Sequence, residues 1–240
     1  HLNHGLRSGE SDSEARFVED LAKSLKLSYY IRKENVKAIG SKKGINLEEA
    51  GRNIRYEFFR EISAKNDYDK IAVGHQQQDS AEQVLINLLR GSGPAGMGGI
   101  LPVRGNIIRP LIETPQTEIE KFLTDCGISY CTDQSNKDIR FTRNRIRHCL
   151  IPELQRFNPR IVETLCRFSA VMRDEYEWTE DIVTRLYKQL IIQRNSKDCK
   201  LVLSAKQLGL LQPAAKRRII RKAICEVKGN LRRIEHQHVE

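Results

Sequence analysis

No Cys-x-x-Cys pair occurs in this chain; its six cysteines, Cys126, Cys131, Cys149, Cys166, Cys199 and Cys225, are scattered and have no histidines at metal-ligand spacing. That distribution excludes a disulfide-built fold, argues against a structural zinc or iron–sulfur centre, and fits reduced thiols in the cytoplasm. No apolar run approaches the ~18 residues of a membrane span, and nothing resembles a secretory signal. Internal repeats and low-complexity tracts are missing as well. An initiator methionine is absent: the chain opens on His1 as though a strand were already under way, as a fragment would. Also lacking is a glycine-rich turn that leads into a helix and cradles a phosphate on its backbone N–H groups.

What is present is enough chain for a buried core. At 240 residues it accommodates a large α/β domain followed by a smaller helical one. A formal net charge of +10 favours a polyanionic partner, because clustered Lys and Arg gain affinity by releasing counterions from phosphates. The charge is grouped. Lys137, Arg140, Arg143, Arg145 and Arg147 form one cluster; Lys216, Arg217, Arg218, Arg221 and Lys222 form a second, with Arg232 and Arg233 beyond it. Both fall on expected helices, so each offers a stripe to nucleic acid.

The first half alternates helix-like and strand-like segments, the sequence sign of parallel βα units. In "SDSEARFVEDLAKSLKL" Ser11 and Glu14 read as a capping box, and Phe17, Leu21 and Leu25 share one helical face. "LSYYI" reads as a strand. "GINLEEAGRNIRYEFFREISAK" places Leu47, Ala50, Ile54, Phe58 and Ile62 at helical spacing, and "KIAVG" is a short buried strand. Residues 91–105, "GSGPAGMGGILPVRG", carry too much glycine and proline for a helix or central strand, and read as either a ligand-contacting loop or a plain connection. "NIIRPLIETPQTEIEKFLTDCGI" gives a strand and a helix capped by Thr114 with Pro115 at its first position. Beyond Asn158-Pro159 the sequence turns helical: residues 161–190 form a long helix, "LVLS" a short strand, and "PAAKRRIIRKAICEVKG" a basic helix started by Pro and ended by Gly.

The stretch "KIAVGHQQQDSAEQVLINLLRGSG", residues 70–93, concentrates the polar chemistry. In parallel α/β sheets ligands bind beyond the carboxyl ends of strands, where the residues after "KIAVG" must lie. If the helix begins near Gly74, His75, Asp79 and Glu82 share a face and converge on one pocket, while Val84, Leu85, Leu88 and Leu89 form the buried stripe. The residues alone leave a second reading open. In it Asp79 is an N-cap and Glu82 its capping-box partner, contributing ~1 kcal/mol to the helix and nothing to function.

The blocks "HLNHGLRSGESDSEA", "GINLEEAGRNIRYEFF", "AVGHQQQDSAEQVLINLLRGSG", "IIRPLIE" and "DQSNKDIRFTRNRIRHCLIPEL" resemble, in order and spacing, the successive motifs of the tRNA(Ile)-lysidine synthetase family. The resemblance implies a parallel-sheet PP-loop ATP pyrophosphatase domain over residues 1–156 and a mainly helical tRNA-contacting domain over 157–240. It implies a ligase that uses ATP and Mg²⁺ to adenylate the C2 oxygen of the wobble cytidine of tRNA(Ile). The amine of free L-lysine then displaces AMP.

By the same resemblance His75 and Arg55 lie at the reacting groups, with Arg55 also near the ATP phosphates. Asp79, Glu82 and Arg143 hold lysine, and Leu2, Asn3 and His4 contact the nucleotide. Arg145, Arg147, Arg217, Arg218 and Arg221 contact tRNA; for Arg143 and Arg147 the lysine carboxylate, tRNA phosphates and a purely structural basic helix all stay open. Self-association as a homodimer stays open.

Two departures from the family pattern stand out. Gln76 and Gln78 occupy places where the family commonly has His and Asp, so no metal ligand is assigned there. The family's Ser-Gly-Gly-x-Asp-Ser phosphate loop does not occur in these residues, and the 240-residue chain alone is therefore expected to be inactive. The competing expectations are a sulfur-transferring PP-loop tRNA thiolase and a noncatalytic RNA-binding module.

Overall fold

A computed structural model describes residues 1–3, 10–131, 138–195, 200–231 and 234–239. His4, Lys137, Cys199, Arg232 and Arg233, singled out above, lie outside the described residues. The chain divides into two compact units, His1–Ile86 with Gly99–Cys166, and Asn87–Gly98 with Arg167–Glu240. Among the described residues no helix is long and apolar enough to cross a membrane.

The first unit is an α/β assembly built on short parallel strand pairs. Strand β1 (Leu2–Asn3) pairs in parallel with β2 (Arg32–Lys33), Leu2 opposite Arg32. Helix α1 (Glu10–Ser24) connects them, the right length for a crossover between parallel strands. Helices α2 (Val36–Lys43) and α3 (Leu47–Lys65) follow. Asn46 caps α3 by accepting from the Glu49 N–H at 2.8 Å. Ala50, Ile54 and Phe58, one helical face of α3, pack with Leu2 and Val36 into the first core cluster. Burial of each large apolar side chain there stabilises the unit by ~1.5–3 kcal/mol.

Strand β3 (Ile71–Ala72) runs parallel to β5 (Ile107–Ile108), and β4 (Val103–Arg104) closes the sheet antiparallel to β5, in the order β3-β5-β4. Gly105, at φ 61°, opens the two-residue β4–β5 turn in the left-handed region that hairpin turns of this length require. Helix α4 (Gln77–Leu89) follows β3, and the short α5 (Pro94–Met97) precedes β4. Helix α6 (Gln116–Asp125) follows β5. Then α7 (Thr142–Arg145), a single π turn (Ile146–Leu150) and α8 (Ile151–Phe157) run on without a break. Leu85 and Ile86 of α4 meet Ile146 and Ile151 in a second core cluster.

In the second unit the expected long helix is α9 (Ile161–Leu190), whose first turns belong to the first unit. It leads into a hairpin of β6 (Ile191–Asn195) and β7 (Lys200–Leu203), then α10 (Ala205–Gly209) and α11 (Pro213–Lys228). Pro213 starts α11, and Gly229, at φ 81°, ends it in the left-handed conformation. Val183, Tyr187, Leu190 and Ile219 form the core of this unit.

Several expectations are corrected. Helix α1 begins at Glu10, so Ser11 lies inside it and the Ser11–Glu14 box does not mark its start. Leu25 falls past the end of α1 and is exposed, and the strand expected over residues 27–31 forms only at Arg32–Lys33. Pro115, not Thr114, is the N-cap residue of α6. Leu88 and Leu89 are exposed, and of the expected stripe of α4 Val84 and Leu85 are buried. Residues 91–105 are not one open loop: α5 and β4 both form inside them. Strand β6 went unexpected because its residues continue the pattern of α9.

Candidate functional site

The parallel pairing of β3 with β5 brings the residues that follow each strand to the same edge. His75 follows β3, and Arg109 comes immediately after β5. Helix α4 starts at Gln77, not Gly74, so His75 sits before the helix instead of sharing a face with Asp79 and Glu82. The helix entrance is tied down by its own glutamines. The Gln77 N–H donates to the Thr114 carbonyl at 3.1 Å, and the Gln78 side chain accepts from the Gln116 N–H at 3.1 Å. Gln78 thus supplies to α6 the cap that Pro115 cannot.

Asp79 helps to cap the helix, but not as its N-cap residue with Glu82 as partner. Its Oδ2 accepts from the Gln76 N–H at 3.0 Å, the backward half of a capping box with Gln76 as the cap residue. Its Oδ1 faces arginines: Arg147 Nη2 at 3.3 Å and Arg143 Nη1 at 3.8 Å. Glu82 has no capping role. It is completely buried and accepts from Arg147 through both oxygens, from Nε at 2.5 Å and from Nη2 at 3.1 Å. Arg143 Nε lies 3.8 Å from Glu82, and its Nη2 donates to Gln83 at 2.8 Å.

Arg143 and Arg147 reach α4 from α7 and the π turn, a helix irregularity that recurs at functional sites. Two carboxylates and two guanidiniums thereby form one charge-balanced cluster. Burial pushes the Glu82 carboxyl above its ordinary range, and the Arg147 hydrogen bond works against that shift. Both Glu82 oxygens accept N–H groups, which is the pattern of an ionised carboxylate. For Arg147 the acid partners outweigh burial and raise its pKa.

His75 is half-buried beside this cluster, with its pKa lowered by burial and further by Arg109, Arg143 and Arg52, while Asp79 pulls it up. Arg109 is buried. Its Nη1 donates to the Leu101 carbonyl at 2.6 Å and its Nε to His75 Nδ1 at 3.3 Å. The sequence carried one signal for Arg109 that was not used: a charge placed between an apolar pair and a proline at a strand end.

The structure thus gathers His75, Asp79, Glu82, Arg143 and Arg147, and adds Arg109 and Gln83. Leu2 and Asn3 belong to the β1–β2 pair. Leu2 is a core residue, and the buried Asn3 side chain donates to Asp12 at 2.8 Å. Arg55 on α3 has its pKa lowered by burial, and Arg52 on the same helix is the arginine whose charge reaches His75. Arg145 is exposed. On α11, Arg218 donates to Glu180 at 3.0 Å and stacks on the Tyr176 ring, and Arg221 reaches the Ile234 carbonyl at 3.5 Å. Arg217 on the same helix is half-buried. The second basic stripe is therefore partly engaged within its own unit.

A family profile described as a PP-loop domain matches residues 1–154. Among curated proteins, the tRNA(Ile)-lysidine synthase of Caldanaerobacter subterraneus subsp. tengcongensis is 39% identical over 241 residues, which take in 100% of this chain and 51% of that protein. The tRNA(Ile)-lysidine synthase of Solibacter usitatus is 38% identical, across 100% of this chain and 53% of that protein. That of Geobacter sulfurreducens is 37% identical, across 100% and 51%. The chain spans about half the length of the curated relatives it matches. Among solved structures, the U34-tRNA thiolase NcsA from Methanococcus maripaludis has a similar fold, with a TM-score of 0.56 over 72% of this chain and 60% of that one, at 16% identity.

Proposed function

This chain belongs to the PP-loop domain family, and on that premise we propose that it carries out the chemistry of a tRNA(Ile)-lysidine synthetase in the cytoplasm. In this reading the C2 oxygen of a wobble cytidine attacks the α-phosphate of ATP, forming an O–P bond and releasing pyrophosphate. The amine of L-lysine then attacks C2, the C–O bond breaks, AMP leaves with the oxygen, and the nitrogen loses a proton. Residues 1–156 form the catalytic part and residues 157–240 the tRNA-contacting part.

The observation that carries the reading is the cluster of Asp79 and Glu82 with Arg143 and Arg147 at the carboxyl edge of a parallel strand pair. Its divided chemistry suits lysine, which brings ammonium groups and a carboxylate. Asp79 is the acid that retains some exposure and holds its arginines at 3.3 Å and 3.8 Å, so it receives an ammonium. Glu82, fully buried, acts through Arg147. Arg143 takes the carboxylate, and Arg55 supports the ATP phosphates. Leu2 offers the nucleotide only its main chain, since its side chain is core. Arg145, with Arg217 and Arg221, contacts tRNA. Mg²⁺ accompanies the ATP phosphates in this reading, and among the described residues no three His, Cys, Asp or Glu side chains gather as a metal set.

The likeness to a tRNA thiolase, at 16% identity, carries fold alone. The test joins the chain to a Ser-Gly-Gly-x-Asp-Ser phosphate loop on its N-terminal side and supplies tRNA(Ile) transcript, ATP and labelled lysine. Label in the tRNA with release of AMP and pyrophosphate is the expected result. ATP consumption with sulfur incorporation when sulfide is supplied in a parallel reaction, or tRNA binding without either reaction, overturns it.

A further inference from the structure

Arg109 has no role in the function proposed above, yet it is a buried charge with two directed hydrogen bonds. A guanidinium in a protein only donates and does not give up its proton. His75 Nδ1, 3.3 Å from Arg109 Nε, therefore has to present its lone pair. In a neutral imidazole that leaves the proton on Nε2. The arginine is not free to swing away. Its Nη1 is held by the Leu101 carbonyl at 2.6 Å, its own N–H donates to the Pro102 carbonyl at 2.9 Å, and Pro110 stiffens the chain after it. Because β3 and β5 are parallel neighbours, Ala72 opposite Ile108, the pairing that builds the sheet also sets the spacing of His75 and Arg109.

We propose that Arg109 is the positioning residue of this site: by donating to Nδ1 it fixes His75 as the neutral tautomer protonated at Nε2. His75 then acts as a hydrogen-bond donor to an anionic oxygen and not as a base. This rests on the reading of His75 as a group near the reacting atoms. The ligand class that such a donor serves is an oxygen that gains negative charge, on a phosphate or at the cytidine C2 position. Burial and three of the four charged groups facing the imidazole act in one direction. Burial, Arg109, Arg143 and Arg52 all disfavour the imidazolium, and Asp79 alone favours it.

The test is long-range proton–nitrogen NMR on the 240-residue chain with labelled histidine, the His75 signals being assigned from their loss in His75→Gln. Near neutral pH the expected spectrum has Nδ1 unprotonated and Nε2 protonated, with a titration midpoint below the ordinary ~6.5. In Arg109→Met the midpoint should rise above that of the wild type, because one cation facing the imidazole is gone while Asp79 stays, and the tautomers should mix. Arg109→Lys keeps the charge and should preserve the lowered midpoint.

A wild-type spectrum showing the proton on Nδ1, or an imidazolium at neutral pH, overturns the proposal even if no variant folds. An unchanged midpoint in a folded Arg109→Met does the same. None of these measurements needs lysine, ATP or tRNA, so the function can fail while the tautomer assignment stands, and the reverse.

Discussion

At the scale of single residues, the Glu82–Arg147 pair sets what can be changed without cost. Removing Arg147 leaves a fully buried carboxylate without its two donors. Arg147→Met is expected to lower stability by ~3–5 kcal/mol at neutral pH, read from urea denaturation. The pH dependence follows from the raised pKa of Glu82. A carboxyl whose folded pKa lies above its unfolded value favours the fold fully below the unfolded value. That contribution is lost as pH rises through the folded one. Taking Arg147 away lifts the folded value further, so the loss relative to wild type should be larger at pH ~8 than at pH ~4. A loss equal at both would mean that the pair is not the cause. Asp79→Asn behaves differently, because an amide oxygen still accepts the Gln76 N–H. Stability should hardly change, while lysine use falls by roughly 10–100-fold, the loss of one charge-assisted hydrogen bond of ~1.5–3 kcal/mol.

At the scale of elements, caps and cross-links between helices carry the predictions. Gln78→Ala removes the acceptor at the start of α6 and should cost ~0.5–1.5 kcal/mol in thermal or urea unfolding, since Pro115 provides no substitute. In the second unit Tyr187 of α9, Arg194 of β6 and Glu226 of α11 are joined: the Tyr187 hydroxyl donates to Glu226 at 2.8 Å, and Arg194 pairs with the same carboxylate at 2.9 Å. Burial and that hydrogen bond push Tyr187 up to about 12. Its contribution is present below the unfolded value of ~10 and is lost as pH rises toward the folded one. Stability should therefore fall over the window from ~10 to about 12 in wild type, and fall less steeply in Tyr187→Phe.

Much at this scale was legible in the sequence. Pro213 and Gly229 bracket α11, and the long pattern of residues 161–190 is α9, because start and stop chemistry is local. Asp79 and Glu82 stood out as acids after a strand. The Glu82–Arg147 pair did not, since its partners lie 65 residues apart and no local period links them. The π turn was equally hidden: its residues read as ordinary helix, and only the cluster of Leu85, Ile86, Ile146 and Ile151 fixes its register. Arg109 was passed over because its meaning depends on which strand lies beside β5.

At the scale of the whole molecule, the net charge of +10 is the physical basis for the proposed contact with tRNA, but arginines that look alike in sequence have different surroundings. Affinity for tRNA should fall linearly with salt on a logarithmic plot. Arg145→Ala, at an exposed position, should weaken binding and reduce the salt slope by ~1. Arg218→Ala should instead act through stability, because Arg218 is paired with Glu180 and stacked on Tyr176.

The likeness to known proteins bears on the same scale, with a PP-loop profile over residues 1–154 and relatives about twice as long. Whether this chain uses lysine rests on the acid at the helix entrance. The most direct measurement is a crystal structure of the chain with L-lysine diffused in. An ammonium nitrogen within ~2.7–3.2 Å of an Asp79 oxygen, beside Arg143, is the expected result. Asp79 and Glu82 engaged by Arg143 and Arg147 alone, with no lysine at the helix entrance, would contradict it.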